Sequence, residues 1–403
     1  MGKKIKTVLA MVIMAVSIGG CHGEDRTNEK QAQVSDKREG IDIKIAFWGA
    51  SGEEDALKKA AEGMTEEIEG IRSVEWEQFP SVQEFYDTLP TEVVIGKMPD
   101  IVMLNNEEYK SLIDAGFLEP LSDDKTGMEC DENVWKQWNY EEQLYGYPGT
   151  AAPALFIINE DIWKESGLTS YPETWEQVYE SAKHLKAQGY MPLCIDIGNM
   201  YHVTQYLLSF GGGWKEGVDM NTEENREALS FILKMFDEGL AVTAQDEGRS
   251  WDGEVFSAGE CVMSTGGTWY TGMLKENPDI SYRMLPVPCT DKGNGKTLHS
   301  YGFSVMRGCQ DKQLAEKAAR YMVREEAQRI RMEVTGDCPA MTSLQKEYFR
   351  LYPQLEFVRE DIGLTKGFDY PVKLELLDEV QNKLKRRVYG EEPDLMPEEI
   401  LSP

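Results

Sequence analysis

Between positions 144 and 185 apolar blocks alternate with turn residues in an order that specifies turn, strand, short helix, loop and long helix. Gly146 and Pro148 punctuate the opening turn. Residues 154–158 (Ala-Leu-Phe-Ile-Ile) form an apolar run of strand length, too short for a helix of its own. Asn159 and Asp161 open a short amphipathic turn that Gly167 stops. Pro172 sets an extended approach to Thr174, which with Gln177 makes a capping box: a hydroxyl at the N-cap and a Gln three residues on. Behind it Trp175, Val178, Tyr179, Ala182 and Leu185 share one helical face.

The same reading extends in both directions. Residues 41–48 alternate apolar and polar, as do 72–79, and each predicts a strand. Between them Ala56, Leu57, Ala60, Ala61 and Met64 recur at helical spacing. A helix over 85–95 is expected to break at Pro90. Residues 96–104 read as a turn into a short buried strand, followed by a helix through Ile113 that 105–108 caps. Amphipathic helices are predicted from Thr222 to Gly239, over 314–322 and over 372–388. The last ends in Lys383, Lys385, Arg386 and Arg387, cations that suit a helix C-terminus. Strand alternating with helix implies βαβ units and a largely parallel sheet.

The N-terminus departs from this pattern. Lys3, Lys4 and Lys6 precede an apolar stretch over 8–18, which is signal-peptide length and too short to span a bilayer. Ile18, Gly19 and Gly20 then lead into Cys21, an arrangement that resembles a bacterial lipobox. That resemblance implies cleavage before Cys21 and a lipid on its thiol. Residues 22–40 carry almost no apolar side chains, a tether composition.

With 403 residues, of which 41% are hydrophobic, two domains with sizeable cores are affordable to the chain. Acidic residues outnumber basic ones 71 to 42, and the net charge of -29 argues against nucleic acid and against electrostatic attraction to anionic lipid. Cys130, Cys194, Cys261, Cys289, Cys309 and Cys338 are widely spaced, without a CxxC pair or a His at ligand spacing, so neither a metal nor a cofactor is expected. No GxSxG, HExxH, P-loop or GxGxxG occurs, His22, His184, His202 and His299 are scattered, and the glycines 211–213 read as a turn. Catalysis finds no support. Aromatic residues at strand ends and turns do point somewhere: flat rings and planar carboxylates or amides are what a sugar's C–H faces and hydroxyl rim require.

Several motifs in order resemble the extracellular sugar-binding proteins of ATP-driven bacterial importers. Tyr145-Gly146-Tyr147-Pro148, Ile158-Asn159-Glu160-Asp161, Gly167-Leu168 and Pro172-Glu173-Thr174-Trp175 form one match, with Ile158 and Glu160 departing from the family's usual Tyr and Lys. The stretches 96–104 and 115–121, the run 256–263 with Gly266-Gly267-Thr268-Trp269, then 282–288, 300–305, 318–322 and 336–340 continue it. Cys261 and Val262 replace the usual small pair. The resemblance implies an α/β, two-lobed periplasmic-binding-protein-like fold of the class II type, each lobe a central sheet flanked by helices. It implies a signal peptide at 1–20, a tether at 21–40, one lobe from 41–150 plus 302–338, and another from 151–301 plus 339–403. Ligand is then held between lobes and passed by a monomer, lipid-anchored outside a Gram-positive type of membrane, to a permease. Trp269, Glu107 and Tyr201 match ligand-binding positions of the family, and Trp48, Asn105, Trp251, Tyr301 and Tyr370 are further candidates. A sensor or enzyme on the same fold, or a binder of a peptide, polyamine or organic anion, are the alternatives.

Overall fold

The computed structural model describes residues 40–49, 51–79, 81–214, 220–365 and 374–402. Cys21, nearly all of the tether and Tyr370 therefore lie outside the described residues. No helix among the described residues is long and apolar enough to cross a membrane.

The chain begins with β1 (Ile41–Trp48), α1 (Ser51–Ala60), β2 (Ile71–Phe79), α2 (Val82–Val94), β3 (Ile101–Asn105) and α3 (Tyr109–Asp114). Strands β1, β2 and β3 pair in parallel, as the strand–helix alternation requires. One expectation fails here: α2 runs straight through Pro90. Phe85 and Leu89 on its inner face are fully buried, and that burial outweighs the roughly 3 kcal/mol a mid-helix proline costs.

After a two-residue strand β4 (Tyr147–Pro148) comes β5 (Ala152–Asn159), then α4 (Glu160–Glu165) and α5 (Trp175–Ala187). Asn159 caps α4 through Ile162 N, and Thr174 caps α5 through Gln177 N. The Gln177 side chain returns its bond to Glu173 N, one residue beyond the expected partner. Every residue of β5 is buried. Ala154, Phe156 and Ile158 enter a core with Trp175, Val178, Ala182 and Leu185, while Leu155 and Ile157 enter another with Phe256, Tyr270 and Tyr348. A strand covered on both faces reads as a continuous apolar run for this reason.

The chain continues through β6 (Leu193–Cys194), α6 (Met200–Ser209), α7 (Glu223–Asp237), β7 (Ala241–Val242), α8 (Asp252–Ser257), β8 (Met263–Gly267), β9 (Tyr282–Leu285) and β10 (Leu298–His299). Then come β11 (Tyr301–Val305), α9 (Lys312–Tyr321), α10 (Glu325–Val334), α11 (Thr342–Leu351), α12 (Leu374–Val388) and a last turn of helix, α13 (Pro397–Ile400). The glycine turn after α6 is pinned: Asn225 accepts from Gly213 N and donates to its carbonyl, and a Cβ on Gly212 would lie 2.0 Å from Asn225 Oδ1.

Two sheets result. The first has the order β2-β1-β3-β11-β4, and the second β9-β5-β8-β6-β7 with β10 also paired to β5. Neither is wholly parallel: β11 runs antiparallel to β3 and β4, and β5 antiparallel to β8, β9 and β10. Both exceptions are strands delivered by a crossing from the other sheet, so no right-handed βαβ crossover dictates their sense.

The crossings are tied together. Gly149 N donates to Tyr301 O (2.8 Å) and Ala151 N to Cys338 O (2.9 Å). Ser300 Oγ donates to Thr150 O (2.6 Å) and Tyr301 N to Thr150 Oγ1 (3.0 Å). Thr150 and Pro339 form an isolated bridge.

Candidate functional site

Strand β3 ends at Asn105, and the next two residues are set by one side chain. Asn106 donates to Leu298 O (3.0 Å) and accepts from Ser300 N (2.7 Å). This holds the loop after β3 against the segment that joins the two sheets. Glu107 is thereby brought to His299, its Oε1 lying 2.7 Å from Nδ1. Glu107 is 2% exposed, and its second oxygen, Oε2, has no hydrogen-bond partner. A buried carboxylate oxygen left open is an acceptor awaiting a donor.

The second sheet supplies the rings. Strand β8 ends in Gly266-Gly267, and Trp269 follows. A Cβ on Gly267 would lie 2.0 Å from the Trp269 ring, and one on Gly266 2.1 Å from the Tyr270 ring. The glycine pair thus lets both rings fold back onto the strand end. Trp269 is partly buried; its ring centroid is 5.2 Å from His299 and 5.4 Å from Tyr201, and Tyr201 is 5.4 Å from His299. The three rings meet edge to face, the favoured aromatic geometry.

Tyr201 lies on the first turn of α6 and is buried. Its hydroxyl accepts from Thr297 (2.7 Å). One turn on, Gln205 donates to Gly266 O (2.7 Å) while its own Oε1 is open.

The other predicted residues divide. Trp48 packs on Phe85 and Tyr86 at 5.3 and 6.3 Å. Asn105 accepts from the Tyr86 hydroxyl (2.9 Å) and from Glu108 N (3.1 Å), so its carbonyl is spent on local structure. Trp251 packs edge-on to Tyr270 at 5.6 Å, within the core around Phe256. Tyr301 turns its ring toward His299 (6.5 Å), but its hydroxyl accepts from Arg331 and donates to Asp337.

His299, Thr297 and Gln205 were not foreseeable as site residues. The one signal for two of them is the run 297–301, where Leu298 is buried and Thr297 and His299 flank it at a strand's two-residue period. Sequence spacing also points to no metal ligands, yet folding brings Asp196, His202 and Asp252 within 4.8 Å of one another.

Next to Glu107, the partly buried Glu108 carboxyl is pushed up to about 8, by burial first and then by Glu107, with Asp378 and Asp87 adding and the Asn105 hydrogen bond opposing. A carboxyl protonated in the fold but ionised in the unfolded chain makes the unfolded state bind fewer protons. Stability should therefore fall as pH rises from 4.5 to about 8. Glu108→Gln should flatten that stretch of the curve of melting temperature against pH; an unchanged slope would remove Glu108 as its source.

A profile for bacterial extracellular solute-binding proteins matches residues 37–329. The chain belongs to that family. This solute-binding protein is 22% identical over 359 residues to the diacetylchitobiose binding protein of Streptomyces coelicolor, covering 86% of this chain and 84% of the relative. It is 20% identical over 366 residues to the galactooligosaccharide-binding protein of Bacillus subtilis, covering 86% and 83%. Among solved structures it is similar to an ABC substrate-binding protein of Listeria monocytogenes in complex with cycloalternan, with a TM-score of 0.77, 20% identity, and coverage of 90% and 96%. The solute-binding protein thus has the two-lobed α/β fold, and the ring cluster with Glu107 lies where segments of both sheets meet.

Proposed function

We propose that this solute-binding protein captures a carbohydrate, an oligosaccharide by preference, between lobes built from 41–150 plus 302–338 and 151–301 plus 339–403. The observation that carries the reading is that the partly buried Trp269 and Glu107, whose Oε2 has no partner, both lie against His299: a platform for a sugar's C–H face and an acceptor for its hydroxyls gathered at one residue. The names of the relatives support it. Glu107, Asp378 and Asp87, whose charges raise the Glu108 carboxyl, make the surroundings acidic, which disfavours anionic solutes. Ligand touching both lobes stabilises the closed form, and a permease powered by separate ATPase chains receives it. The protein acts as a monomer and leaves the sugar unchanged. Calorimetry against a panel of oligosaccharides should show saturable binding, and chromatography should return the sugar intact. A cleaved product would move the protein into the enzyme class; no binding across the panel would remove the sugar reading.

The anchor is part of the same proposal. Ile18-Gly19-Gly20-Cys21 behind a basic, apolar leader supports a lipid on Cys21 that keeps the protein on the outer face of the cell membrane. Cys21→Ser should release it into the medium, read by fractionation of intact cells. Retention of the Ser variant on membranes would refute the anchor.

A further inference from the structure

We propose that Asp196, His202 and Asp252 form a site for one divalent transition-metal cation of the zinc or manganese kind. The three come from separate segments: Asp196 two residues past β6, His202 from the first turn of α6, and Asp252 from the start of α8. Each offers one ligand atom, and these atoms lie within 4.8 Å of one another. On a cation with bonds of about 2.1 Å, ligand atoms stand roughly 3.4 Å apart in a tetrahedron and about 4.2 Å apart across an octahedron. Small side-chain rotations close the difference.

Two of the ligands are deeply buried and incompletely satisfied. Asp252 is 1% exposed; its Oδ2 accepts from Ser264 Oγ (2.6 Å) and the Tyr270 hydroxyl (2.5 Å). Its Oδ1 has no partner. His202 is 4% exposed, and its Nδ1, 3.9 Å from Asp252 Oδ2, has none either. Open polar atoms this deep are rare because each forfeits its hydration. One cation would satisfy both.

Neighbouring groups hold the three side chains in place. Ser264 and Tyr270 orient Asp252, and Gly198 N donates to Asp196 Oδ1 (2.9 Å). The His202 ring is held edge-on by Tyr201 (5.6 Å) and Trp269 (6.3 Å). Such partners fix ligand orientation. Asp196 is only partly buried, which makes it the ligand of the three nearest to solvent. Two carboxylates and a neutral imidazole balance a divalent charge. Lys385 is the cation that faces Asp196 from α12, and the Cys194 thiol nearby is held protonated by its hydrogen bond with Cys261 and by burial. One nitrogen and two oxygens suit zinc or manganese; calcium and magnesium ask for more oxygens. The cluster sits directly behind the Tyr201–Trp269 rings, but its test does not depend on what those rings bind.

The purified full-length chain, stripped with EDTA and dialysed near neutral pH, is titrated with ZnCl2 or MnCl2 alone. One equivalent should bind and raise the melting temperature, and EDTA should reverse both. Asp196→Asn and His202→Gln should each weaken binding by at least about tenfold. Co²⁺ added to the unaltered chain should give the visible absorption of a nitrogen–oxygen site, a readout that needs no variant. No stoichiometric uptake overturns the proposal. Uptake unchanged in both variants also overturns it, assigning the cation to surface carboxylates or thiols.

Discussion

Replacing Arg331 with Met should lower the stability of the solute-binding protein by about 3–5 kcal/mol. Arg331 is 2% exposed and lies on α10. Its guanidinium pairs with Glu53 of α1, donates to Asp337 (3.0 Å), and donates through Nε to the Tyr301 hydroxyl (2.8 Å). Thr335 also donates to Asp337 (2.5 Å). Burial pushes the Glu53 carboxyl up, against the pull of Arg331. With the guanidinium gone, two carboxylates in a dry site lose their counter-ion, and that desolvation loss sets the magnitude. The network also ties α1 and α10 to the segment that bridges Thr150, because Asp337 lies two residues before Pro339. Chemical denaturation is the measurement. Glu53→Gln and Asp337→Asn added to Arg331→Met should restore part of the loss, since neutral partners no longer demand a cation. A variant within about 0.5 kcal/mol of the parent, the range of ordinary surface substitutions, would show that the cluster is not a buried ion network.

Trp269→Ala should weaken sugar binding by about tenfold to a hundredfold. A ring stacked on a sugar face removes apolar area from water on both partners, worth roughly 1–3 kcal/mol, and each 1.4 kcal/mol is about tenfold in affinity. The competing account is a core residue, whose truncation costs about 3–5 kcal/mol of stability. Trp269 borders two of the buried cores but is only partly buried itself, so the ligand-free variant should keep most of its stability. Calorimetry and the ligand-free melting temperature separate the accounts. A large fall in melting temperature with affinity unchanged would retire Trp269 as a platform.

Much of the architecture was legible in the chain because its signals are local. Asn159 and Thr174 cap their helices within three residues, and the apolar run 154–158 announces a strand buried on both faces. The glycine pair before Trp269 marks a close approach that the structure then makes. Pro90 misled because the cost of a proline is local while the burial of Phe85 and Leu89 is tertiary.

Of the candidate site, the residue types at strand ends were readable and their partners were not. Trp251 and Trp269 look alike in sequence, each two residues from a glycine and near the same motif. Folding sends the first against Tyr270 and the second against Tyr201 and His299. Tyr301 offers the same phenol as Tyr201, but the crossing that carries it ends beside Arg331 and Asp337.

What the amino-acid sequence determined by itself is the order of strands and helices, their caps and the family, all written in periods and motifs a few residues long. What only the tertiary structure decided is the sense of β5 and β11, the pairing of Glu107 with His299 across 192 positions, and the gathering of Asp196, His202 and Asp252. Loop-closure entropy grows only slowly with separation, so chain distance neither forbids nor predicts such contacts. They follow from where crossings at 149–151 and 300 deliver the chain, and those crossings are held by long-range burial and hydrogen bonds that no local pattern encodes.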